Sequence, residues 1–83
     1  MRNKVKLYFK TLAKECNKTE LKEKIKNIIN HPDLTEEERW LIYYTYGEER
    51  MVLNTCYKLH VSERQFHNIK DIALTKLYYI LKL

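Results

Sequence analysis

One glycine and one proline, Gly47 and Pro32, are all that 83 residues contain of the two strongest turn formers. A β-rich chain needs many tight turns, which draw on these residues for backbone angles that others resist. Helices joined by short connections need few. The scarcity alone points to an all-α fold.

The spacing of apolar residues agrees. Val5, Tyr8, Phe9, Leu12, Ala13 and Cys16 form one helical stripe, with Lys4, Lys6, Lys10 and Lys14 mostly off it. Asn17 and Thr19 interrupt the pattern, and Thr19 is the expected cap of a second helix carrying Leu21, Ile25, Ile28 and Ile29 on one side. His31-Pro32-Asp33 ends that helix, because the residue before proline is pushed out of helical geometry. A capping box of Thr35 and Glu38 opens the third, in which each side chain satisfies a backbone amide near the other. This helix should run through Trp40, Leu41, Tyr43 and Tyr44 to Tyr46, with Gly47 taking a left-handed conformation to close it. A fourth is expected from about Glu48 to Leu59. A second capping box, Ser62 with Gln65, starts the fifth, which turns Phe66, Ile69, Ala73, Leu77 and Ile80 inward and runs to the C-terminus. The expectation is one all-α domain of about five helices over residues 1–83, since chains of this length seldom divide.

Net charge is +5, and its distribution is uneven. Residues 1–30 hold nine basic and three acidic side chains, a basic N-terminal helical pair. Residues 31–59 are acidic on balance and residues 60–83 mildly basic. A polyanionic partner is compatible with this surplus. No stretch approaches the roughly 20 apolar residues that span a bilayer, and nothing like a signal peptide precedes the first helix, so a cytoplasmic protein without a membrane partner is expected. In a reducing compartment Cys16 and Cys56 are expected to be two buried thiols rather than a disulfide.

The C-terminal half holds the parts of a helix-turn-helix in order. Cys56 is the small residue mid-helix, Leu59 and Val61 bracket the turn and point inward, and Ser62 caps. Phe66 and Ile69 anchor the second helix, whose outer side presents Glu63, Arg64, Gln65, His67, Asn68 and Asp71. Gln65 and Asn68 are amides able to pair bidentately with adenine, and Arg64 can pair with guanine. Glu63 can accept from cytosine or exclude other bases.

The segment Leu34-Thr-Glu-Glu-Glu-Arg-Trp-Leu, then Tyr46-Gly47, Leu59-His-Val61-Ser62, Phe66, Ile69 and Ala73-Leu74-Thr-Lys76-Leu77 resembles the C-terminal module of bacterial sigma factors. That module reads the −35 promoter element and touches the flap of RNA polymerase. The resemblance covers roughly Asp33 to Leu81, making residues 34–83 a sigma-like helix-turn-helix unit in a small accessory or phage-type transcription regulator. It implies base reading by Glu63, Arg64, His67 and Asn68, on double-stranded DNA, with RNA polymerase as a further partner. His60 stands where the family usually carries glycine in the turn, and Glu63 where it usually carries a basic residue. A non-glycine residue in a left-handed turn carries some strain.

Phosphate contacts supply much of the affinity for DNA while base contacts supply specificity. Lys4, Lys6, Lys10, Lys22, Lys26 and Lys70 are the candidates for the first role, a solvated face being the alternative for the N-terminal lysines. The rival function is a protein-interaction module of the same fold, binding RNA polymerase or another regulator without reading DNA. Acidic Glu63 and Asp71 favour that rival. The apolar ending Tyr78, Tyr79, Ile80, Leu81 and Leu83 either packs on the first two helices or forms a homodimer contact. Cys56 and His60 lie four apart, but a structural zinc site wants four ligands at recognisable spacing. Without a glycine-rich phosphate loop, a histidine–carboxylate pair at helical spacing worth naming, or a cysteine in an evidently electropositive, exposed setting, neither a cofactor, a metal nor an enzymatic activity is expected.

Overall fold

The computed structural model describes all 83 residues, and they form five α-helices and no strand. These are α1 (Arg2–Glu15), α2 (Lys18–Ile29), α3 (Glu36–Ile42), α4 (Val52–Leu59) and α5 (Glu63–Ile80), with a π-helical turn, Tyr43–Gly47, continuing α3. The all-α reading from glycine and proline scarcity is therefore what the chain adopts.

The core draws on every helix. Val5 and Phe9 of α1, Leu21 and Ile25 of α2, Leu41 and Ile42 of α3, and Phe66, Ala73, Leu74 and Leu77 of α5 are all essentially inaccessible to solvent. α5 is the central strut: α1 packs along it on one side, α3 on another, and α4 across its start. α2 packs on the π turn and on α1. Tyr78, Ile80 and Leu81 lie against the core, and Leu83 folds back over α1, so most of the apolar ending is packed within the chain.

Four local expectations need correction. The cap of α2 is Asn17, not Thr19: Asn17 accepts from the Glu20 amide at 2.8 Å, and Glu20 reaches back to the Asn17 N–H. Both residues cap well, but only Asn17 has a glutamate three positions on to complete the box. Gly47 is not left-handed; Glu49 is, with φ 54°. The reason lies in the π turn, where Glu48 N–H bonds to Tyr43 O and Arg50 N–H to Tyr44 O, both at 2.9 Å. These wider loops defer the chain reversal past the glycine, and α4 begins at Val52 instead of near Glu48. Gly47 serves close packing instead, since a Cβ there would stand 3.1 Å from Cδ1 of Tyr43. The last helix ends at Ile80, closed by left-handed Lys82 and a Leu83 N–H to Tyr78 O bond.

Candidate nucleic-acid interface

The turn between α4 and α5 spans three residues, His60 to Ser62. His60 is left-handed, φ 58° and ψ 44°, so histidine occupies the conformation that usually selects glycine. The Val61 N–H bonds to Cys56 O at 3.1 Å and the His60 N–H to Tyr57 O at 3.4 Å. This is the paired closure of a Schellman motif, with Val61 packing toward the core as the motif requires. Cys56 is buried at the closure, and Ser62 then starts α5 through reciprocal bonds with Gln65 of 3.1 and 2.9 Å.

Phe66, fully buried, fixes the roll of α5. The opposite side follows from helical spacing: Arg64, Asn68 and Asp71 lie in one line at i, i+4 and i+7. Glu63, Arg64, Gln65, His67 and Asn68 are all exposed. Arg64, His67 and Asn68 make no hydrogen bond or ion pair within the chain, which leaves their donors and acceptors for another molecule. Gln65 differs, because its carbonyl oxygen accepts from the Ser62 amide in the capping box, which ties the side chain back to the turn and leaves one lone pair and its amide N–H groups for another molecule. Asp71 differs too: Arg2 of α1 pairs with it at 3.0 Å. The acidic charge nearest the middle of this face is thus neutralised from the far end of the sequence.

The six candidate phosphate lysines divide. Lys6 and Lys10, one turn apart on α1, line a shallow pocket with Thr45, Tyr46 and Glu49. Lys70 of α5 lies 5.9 Å from the Tyr46 ring centre and 5.8 Å from that of Phe66. Burial, then the nearby Lys6 ammonium, hold its pKa below the usual lysine range despite Asp71. Lys6 and Lys70 therefore share the flank of α5 that meets α1, and Lys10 lies one turn further along α1, against the π turn. Lys4 sits instead in a groove of α1 with Leu7, Tyr8 and Leu83. Lys22 and Lys26 belong to α2, which packs away from α5; Lys26 lies 5.7 Å from the Tyr43 ring centre, and Lys22 acts on Glu48. The structure does not bring Lys4, Lys22 and Lys26 to the α5 face.

Sequence reasoning missed Arg2, whose pairing with Asp71 depends on how α1 lies along α5 and has no local signature. It also missed a group around Tyr44, over which Arg50 and Lys58 place their charges at 5.6 and 5.5 Å.

Both cysteines are free, but only Cys56 is buried, Cys16 near the end of α1 being half-exposed; burial followed by the Glu63 charge pushes the Cys56 thiol above its ordinary pKa, which leaves it unreactive. No helix is long and apolar enough to cross a membrane. No family model matches the sequence, and neither a curated protein nor a solved structure matches the chain.

Proposed function

We propose that the chain is a DNA-binding protein that inserts the opening turns of α5 into the major groove. Within that class, the reading that fits its residues best is a small sequence-specific transcription regulator of the sigma-like helix-turn-helix type. One observation carries this proposal: Arg64, His67 and Asn68 stand exposed and unpaired on the first turns of a helix whose roll is fixed by a buried phenylalanine. Side chains of this kind at the N-terminal end of a second helix are what a helix-turn-helix presents to base edges.

The charge arrangement supports it. Arg2 offsets Asp71, and Lys6 and Lys70 line one flank, with Lys10 beyond them on α1, where phosphates beside an occupied groove would lie. α5 then discriminates while α1 supplies attraction, the usual division between base and backbone contacts. Glu63, exposed and without an ion-pair partner, favours the second reading, a protein-interaction module that does not read DNA.

Site selection from random duplexes, followed by titration at several salt concentrations, separates the two. A DNA reader yields an enriched sequence and an affinity that falls linearly with salt on logarithmic axes, by a slope of about 0.9 per phosphate neutralised. Arg64→Ala and Asn68→Ala should each relax selectivity at particular base positions by about 1–3 kcal/mol. Absence of salt-dependent binding, or full selectivity in both variants, would sink the DNA reading. Retention of an RNA polymerase subunit by a protein that fails this test would then favour the second.

A further inference from the structure

A second surface, on the side formed by α2, α3 and the π turn, has features of its own. Helix α3 buries Glu38, Leu41 and Ile42, which leaves Trp40 on its outer side at 45 % exposure. Leaving so much indole in water forfeits apolar burial, yet the ring is held in place. Trp40 stacks on Tyr44 at 5.5 Å and 25° and meets Tyr43 edge-on at 6.0 Å and 85°. An ordered aromatic side chain loses little entropy on binding and is the commonest kind of interface anchor.

Cations flank this aromatic group on both sides. Lys26 stands over Tyr43, and Arg50 and Lys58 over Tyr44. Beside Trp40 opens a cleft of about 410 Å³ between the end of α2, with Lys26, Ile29 and Asn30, and α3 and its π turn, with Glu36, Arg39 and Tyr43. None of these stacking or cation–ring contacts involves α5.

We infer that the Trp40 surface docks an acidic segment of a partner protein, one apolar side chain of which enters the cleft while its carboxylates meet Lys26, Arg50 and Lys58. Charge complementarity and the apolar floor favour a peptide over a nucleic acid. Glu36 forms one wall of the cleft, Glu23 pairs with Lys26 at 3.7 Å, and Glu48 lies among the cations and bonds to Arg50. A continuous phosphate chain would meet all three acids, whereas a peptide can alternate carboxylates with apolar side chains and avoid them. Cations already drawn onto ring faces are also partly desolvated and oriented, which strengthens their pairing with a carboxylate. This surface is independent of the reading of α5 as a DNA-contacting helix.

Trp40 is the only tryptophan, so its fluorescence reports on the surface directly. Selection from a random displayed-peptide library on the immobilised full chain should enrich aspartate and glutamate around an aromatic or aliphatic residue. The selected peptides, synthesised without tryptophan, should change Trp40 emission saturably, and more weakly as salt rises. Lys26→Glu and Lys58→Glu should each weaken that titration severalfold with unchanged thermal melting, while Arg64→Ala leaves it unaltered. The proposal is overturned if the library yields no acidic enrichment or the selected peptides leave Trp40 unmoved. It is equally overturned if the charge reversals have no effect, or if a single-stranded oligonucleotide displaces the peptides at lower concentration.

Discussion

The ammonium of Lys76 stands 2.8 Å from Oε1 of Glu38, the same oxygen that accepts the Thr35 amide at 2.7 Å. Glu38 is 4 % exposed, so the side chain that caps α3 is also the anchor by which α5 holds it. Removing the cation would leave a carboxylate out of water with only part of its compensation. We expect Lys76→Met to cost about 2–3 kcal/mol in urea unfolding, below the full value for a buried pair because the lysine is one-third exposed. Glu38→Gln should cost less, about 1 kcal/mol, since the Lys76 ammonium it leaves without a carboxylate is one-third exposed and can turn to water.

The same contact sets a pH dependence. Burial raises the Glu38 pKa, but bonds from Lys76 and the Thr35 amide outweigh it and bring the carboxyl below its ordinary 4.5. Glu48 moves the same way, chiefly through its bond with Arg50. A carboxyl depressed on folding contributes stability that is complete above its unfolded pKa and disappears as pH falls through the folded value. Thermal melting should be flat above about pH 5 and decline below the ordinary value of 4.5, with a shallower decline in Glu38→Gln.

His60 offers a gain. Its left-handed backbone costs a side-chain-bearing residue about 1–2 kcal/mol, part of which glycine would recover after its own entropy cost. His60→Gly should raise unfolding free energy by about 0.5–1 kcal/mol, and β-branched His60→Val should lower it by a similar amount. Equal stabilities for the two would contradict the strain assigned to this turn.

At Gly47 two effects oppose each other. Alanine favours helix over glycine by about 1 kcal/mol, but its methyl would press on a Tyr43 ring already wedged against Trp40 and Tyr44. Overpacking of that kind costs about 1–3 kcal/mol, so Gly47→Ala should be destabilising on balance. A shift in Trp40 emission should accompany the loss, since Tyr43 meets that ring edge-on.

Arg2→Ala tests whether α1 tunes the α5 face. The pair with Asp71 is half exposed, so stability should change by no more than about 0.5 kcal/mol. Affinity for random duplex DNA should fall further than in Lys4→Ala, because Asp71 is then left facing the phosphates.

Much of this was legible in the sequence because it is written in local chemistry. The boxes at Thr35 and Ser62 form as their spacing demands, and Phe66 and Leu77 are buried as the helical stripe requires. The π turn was not, since Tyr43 to Gly47 keep a helical pattern and differ from an α-helix only in which carbonyl each amide chooses. Nor was the sorting of the lysines. Lys6 and Lys26 look alike on their own helices, and only the packing of α1 against α5 and of α2 against the π turn separates them.

The laying of α1 along α5 also bears on how the chain reaches this state. Met1 touches Tyr79, Arg2 pairs with Asp71, and Leu83 covers α1, so these contacts close a loop of most of the 83 residues. The entropy of closing it is regained only when both helices are in place. Amide protons of α1 and α5 should then exchange with solvent through the same global opening, and a nascent chain would acquire its α5 surface all at once, after its last turn has emerged.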